Sequence, residues 1–78
     1  MINRIVSTPD ILGGKPCIAG TRIAVYMVLE LVEAGVSFDE IRTKFYPQLS
    51  TTDIQACVTY ARQLVQNEEV HVVIEKAV

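Results

Sequence analysis

The apolar residues of this chain change their spacing near Ala24, and that change separates a short N-terminal segment from a helical remainder. Beyond this point they recur at i, i+3, i+4 and i+7, the spacing that brings side chains to one face of a helix. The stripe comprises Val25, Val28, Leu29 and Val32. Ala34-Gly35 ends the run, because glycine is suited to the left-handed residue of a helix C-cap. The helix is apolar on nearly all sides, so we expect it to be deeply buried or covered by a partner.

A second, shorter helix is predicted over residues 38–46. It starts at a capping-box sequence, Ser37-Phe38-Asp39-Glu40, in which the serine and glutamate side chains each bind the other residue's backbone N–H. Pro47 ends the helix because the residue before a proline disfavours helical backbone geometry. The predicted inner stripe is Phe38, Ile41 and Phe45.

The third predicted helix, over residues 51–66, has the most regular amphipathic pattern in the chain. Ser50 precedes it as the cap, and Asn67 follows as a suitable left-handed residue. Its apolar stripe comprises Ile54, Cys57, Val58, Ala61, Leu64 and Val65. The opposite side is polar and nearly neutral.

The segment before the helices predicts a small β element. Ile5-Val6 is β-prone, and Thr8-Pro9-Asp10 is typical of a turn. Cys17-Ile18 and Arg22-Ile23 flank Ala19-Gly20-Thr21, an arrangement that predicts two short extended segments joined by a glycine turn. The fold class is therefore mainly α, with a trihelical helix-turn-helix preceded by a short N-terminal β hairpin.

One domain accounts for the whole chain of 78 residues. Residues 1–23 form the β element, residues 24–67 the three-helix core, and residues 68–78 an apolar tail. The tail is β-prone, and as a strand it would need a pairing partner. We assign partner binding to its alternating apolar residues, Val70, Val72 and Ile74.

The short link between the second and third helices favours a helix-turn-helix, in which the start of the third helix faces the major groove of DNA. The candidate base-reading residues are Thr51, Thr52, Gln55, Ala56 and Thr59. Glutamine can bridge two adenine nitrogens, and threonine offers a hydroxyl and a methyl group. Three basic residues are candidates for phosphate contacts: Arg42, Lys44 and Arg62. The alternative is a three-helix packing unit whose neutral polar face does not bind DNA.

The composition of the chain limits the kinds of partner that we expect. Half of the residues are hydrophobic, which is a large share for so short a chain, so we expect a homodimer, a larger partner, or both. The net charge of −2 means that DNA contact must rest on a local patch. We find no membrane-length apolar run and no signal-peptide pattern, and we expect a cytoplasmic protein with reduced cysteines.

Candidate chemistry is sparse. His71 has no companion nucleophile, Cys17 and Cys57 lack metal spacing, and we expect neither catalysis nor a cofactor or metal. The segment Gly13-Gly14-Lys15-Pro16-Cys17-Ile18-Ala19-Gly20-Thr21-Arg22 suggests a phosphate loop, but its spacing departs from that motif. The other interpretations are turn glycines alone, or a contact of Lys15 and Arg22 with DNA backbone or an acidic partner.

The same segment, extended through Ile23-Ala24-Val25, resembles the signature of the small prokaryotic domain-of-unknown-function family numbered 433. Further similar segments are Glu33-Ala34-Gly35-Val36-Ser37-Phe38-Asp39-Glu40-Ile41, Tyr46-Pro47-Gln48-Leu49-Ser50 and Asp53-Ile54-Gln55-Ala56-Cys57-Val58-Thr59-Tyr60-Ala61. The resemblance implies a homeodomain-like helix-turn-helix. It also implies a VapB-type antitoxin, a class often paired with a PIN-like ribonuclease toxin, and it supplies no catalytic residues.

We therefore expect a dimeric, DNA-binding antitoxin that represses its own promoter and neutralises a PIN-like toxin. A protein-interaction module on a helix-turn-helix scaffold is the alternative, and a small nucleotide-binding enzyme is a third hypothesis. These are distinguished by DNA binding, by partner binding that survives loss of the polar face, and by nucleotide binding that depends on Lys15.

Overall fold

Three helices follow a two-stranded antiparallel sheet in a computed structural model that describes residues 4–67. The elements, in chain order, are β1 (Ile5–Val6), β2 (Cys17–Ile18), α1 (Val25–Glu33), α2 (Phe38–Glu40, continued by a π-helical segment, Ile41–Phe45) and α3 (Thr51–Asn67). A 3-10 turn, Leu12–Gly14, lies between the strands. The prediction of a mainly α fold, with three helices after a small N-terminal β element, is confirmed. The predicted tail strand, with Val70, Val72 and Ile74, lies outside the described residues.

Strand β2 lies in the middle of the β element. On one side it pairs with β1, with Ile5 opposite Ile18 and Val6 opposite Cys17. On the other side it forms a single bridge from Cys17 to Ala24, next to a hydrogen bond from Ile18 N–H to Ile23 O of 3.0 Å. The hairpin predicted between Cys17-Ile18 and Arg22-Ile23 is thus reduced to a bridge and a turn, and the paired strand is β1.

Two local devices close the turn that follows β2. Gly20 has a φ of 79°, in the left-handed region that glycine enters without steric cost. The Thr21 hydroxyl donates to Ile18 O at 2.8 Å and accepts from Ile23 N–H at 3.0 Å. The chain is thereby turned from β2 directly into α1.

Helix α1 ends as its sequence predicts. Gly35 has a φ of 87°, its N–H donates to Val32 O, and the Val36 N–H donates to Leu31 O, both at 3.0 Å. This pair of bonds is the Schellman motif, which satisfies carbonyls that the helix itself leaves open.

The second helix widens into a π-turn, and this changes which aromatic residue reaches the core. Tyr46 N–H donates to Ile41 O at 2.7 Å, an i to i+5 bond in place of the α-helical i to i+4 bond. Tyr46 consequently packs against the core, while Phe45 is 47% exposed. The prediction that Phe45 belongs to the inner stripe is wrong for this reason.

Helix α3 packs against α1, α2 and β1, and only its first half is buried. Ile54 and Cys57 are fully buried, whereas Leu64 is 42% and Val65 66% exposed. The predicted apolar stripe is therefore an inner surface in its first part and a solvent-facing one in its last turns. The largest fully buried side chains among the described residues are Ile41, Ile54, Val28 and Cys57.

Of the helices within residues 4–67, none combines the length and the hydropathy needed to cross a bilayer.

Candidate nucleic-acid interface

The first turn of α3 is held by a reciprocal cap. Asp53 N–H donates to Ser50 Oγ at 3.1 Å, and Ser50 N–H donates to Asp53 Oδ2 at 2.9 Å. The role of Ser50 was predicted from the sequence. The returning bond from Asp53 was not, although Ser-x-x-Asp has the spacing of a capping box with a shorter acid.

A long-range ion pair fixes the same turn to the N-terminal segment. Arg4 Nη1 lies 2.8 Å from Asp53 Oδ1, with the Arg4 side chain 48% exposed and that of Asp53 16% exposed. No sequence pattern signals this contact, because the partners are distant in the chain. It joins the first turn of α3 to the residue before β1.

The surroundings of Asp53 change its acidity. Partial burial acts to raise the pKa of its carboxyl, but the backbone hydrogen bond from Ser50 and then the hydrogen bond from Arg4 lower it more. The net result is a pKa below the ordinary value of 3.8. The carboxylate is therefore ionised at neutral pH, where it also suits the positive end of the α3 dipole.

The polar face predicted to read DNA lies on the surface. Thr51, Thr52 and Gln55 are exposed, and Thr59 is half-buried. Thr52, Gln55 and Thr59 follow an i, i+3, i+7 spacing, so they share one face of α3, away from Ile54. Hydroxyl and amide groups on one exposed helix face could form hydrogen bonds to base edges.

The basic residues predicted on the second helix are neutralised locally. Arg42 Nη1 lies 3.6 Å from Asp39 Oδ1, and Lys44 Nζ lies 3.7 Å from Glu40 Oε2. Arg42 Nε is buried and has no hydrogen-bond partner among residues 4–67. Exposed pairs of this kind are weak, so a phosphate could compete for either cation, but their net contribution to the local field is small.

Arg62 lies far from the start of α3. Ten residues of helix separate it from Thr52, about 15 Å along the axis. Its guanidinium donates to Gln66 Oε1 at 2.6 Å, and no carboxylate among residues 4–67 lies within ion-pair distance. Arg62 therefore cannot act with Thr52 on one base step, although it could contact a more distant phosphate.

The two basic residues of the glycine-rich segment are both exposed. Within residues 4–67, neither Lys15 nor Arg22 forms an ion pair. The segment does not have the arrangement of a phosphate loop, in which the glycines follow a strand and open a helix. Here Gly13 and Gly14 belong to a 3-10 turn that leads into β2, and the chain after Gly20 first forms the bridge from Ala24 to Cys17 before α1 begins at Val25.

The described residues contain no set of His, Cys, Asp and Glu side chains placed to bind a metal ion. Cys17 and Cys57 are both free and buried. Burial, and secondarily the charge of Asp53, raises the pKa of the Cys57 thiol to about 11. That thiol is protonated at neutral pH and is a poor nucleophile.

Most of the described chain matches a known protein family. The family described as "Protein of unknown function (DUF433)" matches residues 5–61, from β1 into the second half of α3. This chain belongs to the DUF433 family. The match ends before the last turns of α3, where Leu64 and Val65 are exposed.

This DUF433 chain is similar to a bacterial protein in sequence and to a solved structure in fold. Uncharacterized protein y4eO of Sinorhizobium fredii (strain NBRC 101917 / NGR234) is 40% identical over 57 residues, which are 73% of this chain and 25% of that protein. The chain thus spans about a quarter of that relative's length. The crystal structure of a DUF433 member from Anabaena variabilis ATCC 29413 superposes with a TM-score of 0.74 at 30% identity, over 82% of this chain and 62% of that one.

Proposed function

We propose that this DUF433 chain binds DNA through a homeodomain-like helix-turn-helix formed by α2, its π-helical continuation and α3. The observation that supports this most is the exposed face with Thr52 and Gln55 on a helix whose first turn is fixed by Ser50 and Arg4. A reading helix must present its side chains in one orientation, since base recognition depends on hydrogen-bond geometry.

The charges of the interface favour weak DNA binding by the chain alone. Arg42 and Lys44 each have a carboxylate nearby, and Arg62 stands apart from the groove-facing residues. Few neutralised phosphates give a low affinity and a shallow dependence on salt. A second copy or a partner would supply the remaining contacts.

We propose further that the biological role is that of an antitoxin, which represses its own promoter and neutralises a PIN-like ribonuclease toxin. The resemblance of the sequence to the family numbered 433, which implies a VapB-type antitoxin, supports this role. A weak reader whose affinity rises in complex with its toxin also suits such a regulator, because repression then follows the amount of bound toxin.

Binding to the DNA upstream of the chain's own gene tests the first proposal. We expect a saturable electrophoretic mobility shift of this DNA at low salt. The shift should be stronger when the protein encoded by the neighbouring gene, the proposed toxin, is co-expressed. Gln55→Ala should weaken the specific site by about 1–3 kcal/mol if Gln55 contacts a base. Gln63→Ala is the matched control, because Gln63 is also exposed on α3 but lies about 12 Å further along the axis. Absence of any shift, with and without the neighbouring protein, would refute the proposal.

The second candidate function is a protein-interaction module that uses the helices only as a scaffold. The adjacent exposed residues Leu64 and Val65 favour it, because a solvent-facing apolar stripe is a common protein-binding surface. Combined substitution of Thr52, Gln55 and Arg62 by alanine distinguishes the two. If the chain is a protein-interaction module, the variant still binds its protein partner, and neither it nor the wild type protects DNA in a footprinting experiment. If the chain recognises DNA, the variant no longer binds its specific site.

A further inference from the structure

A groove crosses the face of the β element that is turned away from the core. Ile5 and Ile18 pack on the core side, so Val6 and Cys17, the other cross-strand pair, lie on the opposite face. The groove lies over this pair and has a volume of about 340 Å³. Its other lining includes Thr8, Ile11, Thr21 and Arg22. This volume is near the small end of protein ligand pockets and suits one or two side chains of a partner.

The groove combines apolar walls with a single cation. Val6 is 38% exposed, Ile11 is half-buried and Cys17 forms a buried part of the lining. The Thr21 hydroxyl is already bonded to Ile18 O and Ile23 N–H. The guanidinium of Arg22 is exposed and has no carboxylate within ion-pair distance in the described part of the chain. The matching ligand therefore carries an apolar group beside an anion.

Charge is distributed unevenly between this side and the helices. Asp10 is the one acidic residue of positions 4–24, which also hold Arg4, Lys15 and Arg22. Arg4 is engaged by Asp53, which leaves Lys15 and Arg22 as the cations of the segment that form no ion pair with any residue of positions 4–67. Residues 25–67 hold five acidic and three basic residues. An acidic ligand would thus be drawn to the β element and repelled by the helical part.

The outer edge of β1 offers main-chain hydrogen bonds beside the groove. Ile18 directs its N–H to Ile23, on the far side of β2, so the opposing residue Ile5 directs its peptide groups away from β2. Among residues 4–67 no further strand lies beyond β1. An extended peptide added at this edge would place alternate side chains on the face that carries Val6.

We propose that this groove and the β1 edge bind an extended segment of a protein partner, with an aliphatic side chain over Val6 and Cys17 and an Asp or Glu two residues away, on the same face of the segment, paired with Arg22. The apolar walls favour a peptide over a nucleic-acid phosphate, which would leave them unused. This surface is separate from the α3 face, so the inference does not depend on DNA binding.

Panning a phage-displayed library of random heptapeptides against the full chain tests the proposal, with affinities of synthesised hits measured by fluorescence polarisation. We expect hits with Asp or Glu two residues from an aliphatic residue, the spacing that puts both side chains on one face of an extended peptide. Arg22→Ala should weaken them about tenfold or more, because a charge-assisted pair is lost. Arg22→Lys should restore part of the affinity, since charge remains without the planar fork. Lys15→Ala, the matched exposed cation outside the groove lining, should change little.

Three results would overturn the proposal: no enrichment over a surface without the chain, hits without acidic residues, or equal binding by Arg22→Ala, whose fold is checked by circular dichroism. A short DNA duplex that displaces the hits and itself needs Arg22 would assign the groove to phosphate and also overturn it. Gln55→Ala separates the two proposals, because it should leave peptide affinity unchanged whatever it does to DNA binding.

Discussion

The guanidinium of Arg4 lies 2.8 Å from Asp53 Oδ1, and the other carboxylate oxygen of Asp53 accepts a hydrogen bond from Ser50 N–H at 2.9 Å. One side chain thus closes the cap of α3 and ties that helix to the residue before β1. Loss of the carboxylate would fray the first turn of α3 and release that turn from Arg4. This turn is the part of α3 proposed to face DNA.

The two functions of Asp53 can be separated by mutation. Asp53→Ala removes the bond from Ser50 N–H and the ion pair with Arg4, while the bond from the residue-53 N–H to Ser50 Oγ remains, and should lower the free energy of unfolding by about 1–2 kcal/mol. Arg4→Ala removes only the pair and should cost about 0.2–1 kcal/mol. Urea denaturation measures both, with Arg22→Ala as a control that removes an exposed arginine without an ion pair in the described part of the chain. Equal losses for Arg4→Ala and Arg22→Ala would mean that the pair contributes nothing.

The lowered pKa of Asp53 predicts a loss of stability in acid. A carboxyl whose pKa is lower in the folded than in the unfolded state stabilises the fold fully above its unfolded pKa, near the ordinary 3.8. That contribution is lost as the pH falls below this value and through the folded pKa. The unfolding free energies of wild type and Asp53→Asn should therefore converge as the pH falls below 3.8 and through the lower folded pKa. A constant difference across this range would contradict the assignment.

Elements specified by neighbouring residues were predictable from sequence. The Schellman end of α1 depends on Gly35, and the starts of the later helices on Ser37 and Ser50, all acting within a few residues. The pair between Arg4 and Asp53 was not predictable, because it depends on where the completed fold brings two distant segments. The groove lined by Arg22 was missed for the same reason, although the sequence already showed the positive charge of Arg22 in the glycine-rich segment.

The π-turn of the second helix makes a specific prediction about two adjacent aromatic residues. Tyr46 packs against the core while Phe45 is 47% exposed. Tyr46→Ala should lower the free energy of unfolding by about 2–4 kcal/mol, somewhat less than for a fully buried aromatic residue. Phe45→Ala should cost less than about 1 kcal/mol. The reverse order would mean that the helix continues with α-helical spacing through this segment.

The apolar stripe of α3 should divide into a stabilising half and a neutral half. Ile54 has no exposed surface, so Ile54→Ala should cost about 2–5 kcal/mol. Leu64→Ser and Val65→Ser should each cost less than about 1 kcal/mol, because both side chains already face solvent. Sequence spacing alone cannot show this division, since periodicity identifies a face but not how far a neighbour covers it. Thermal denaturation of the dilute chain measures the contrast, and a large loss at Val65 would reveal that another surface covers it.

The buried thiol of Cys57 should react only when the chain opens. Its pKa of about 11 keeps it protonated near neutral pH, and it has no exposed surface. Ellman's reagent at pH 8 should therefore modify Cys57 much more slowly than an exposed thiol, at a rate that rises with urea, whereas the denatured chain should release two equivalents for its two cysteines. Cys17→Ser isolates the signal of Cys57. Rapid modification of that variant under native conditions would contradict both the burial of Cys57 and its place in the core between Ile54 and Ala61.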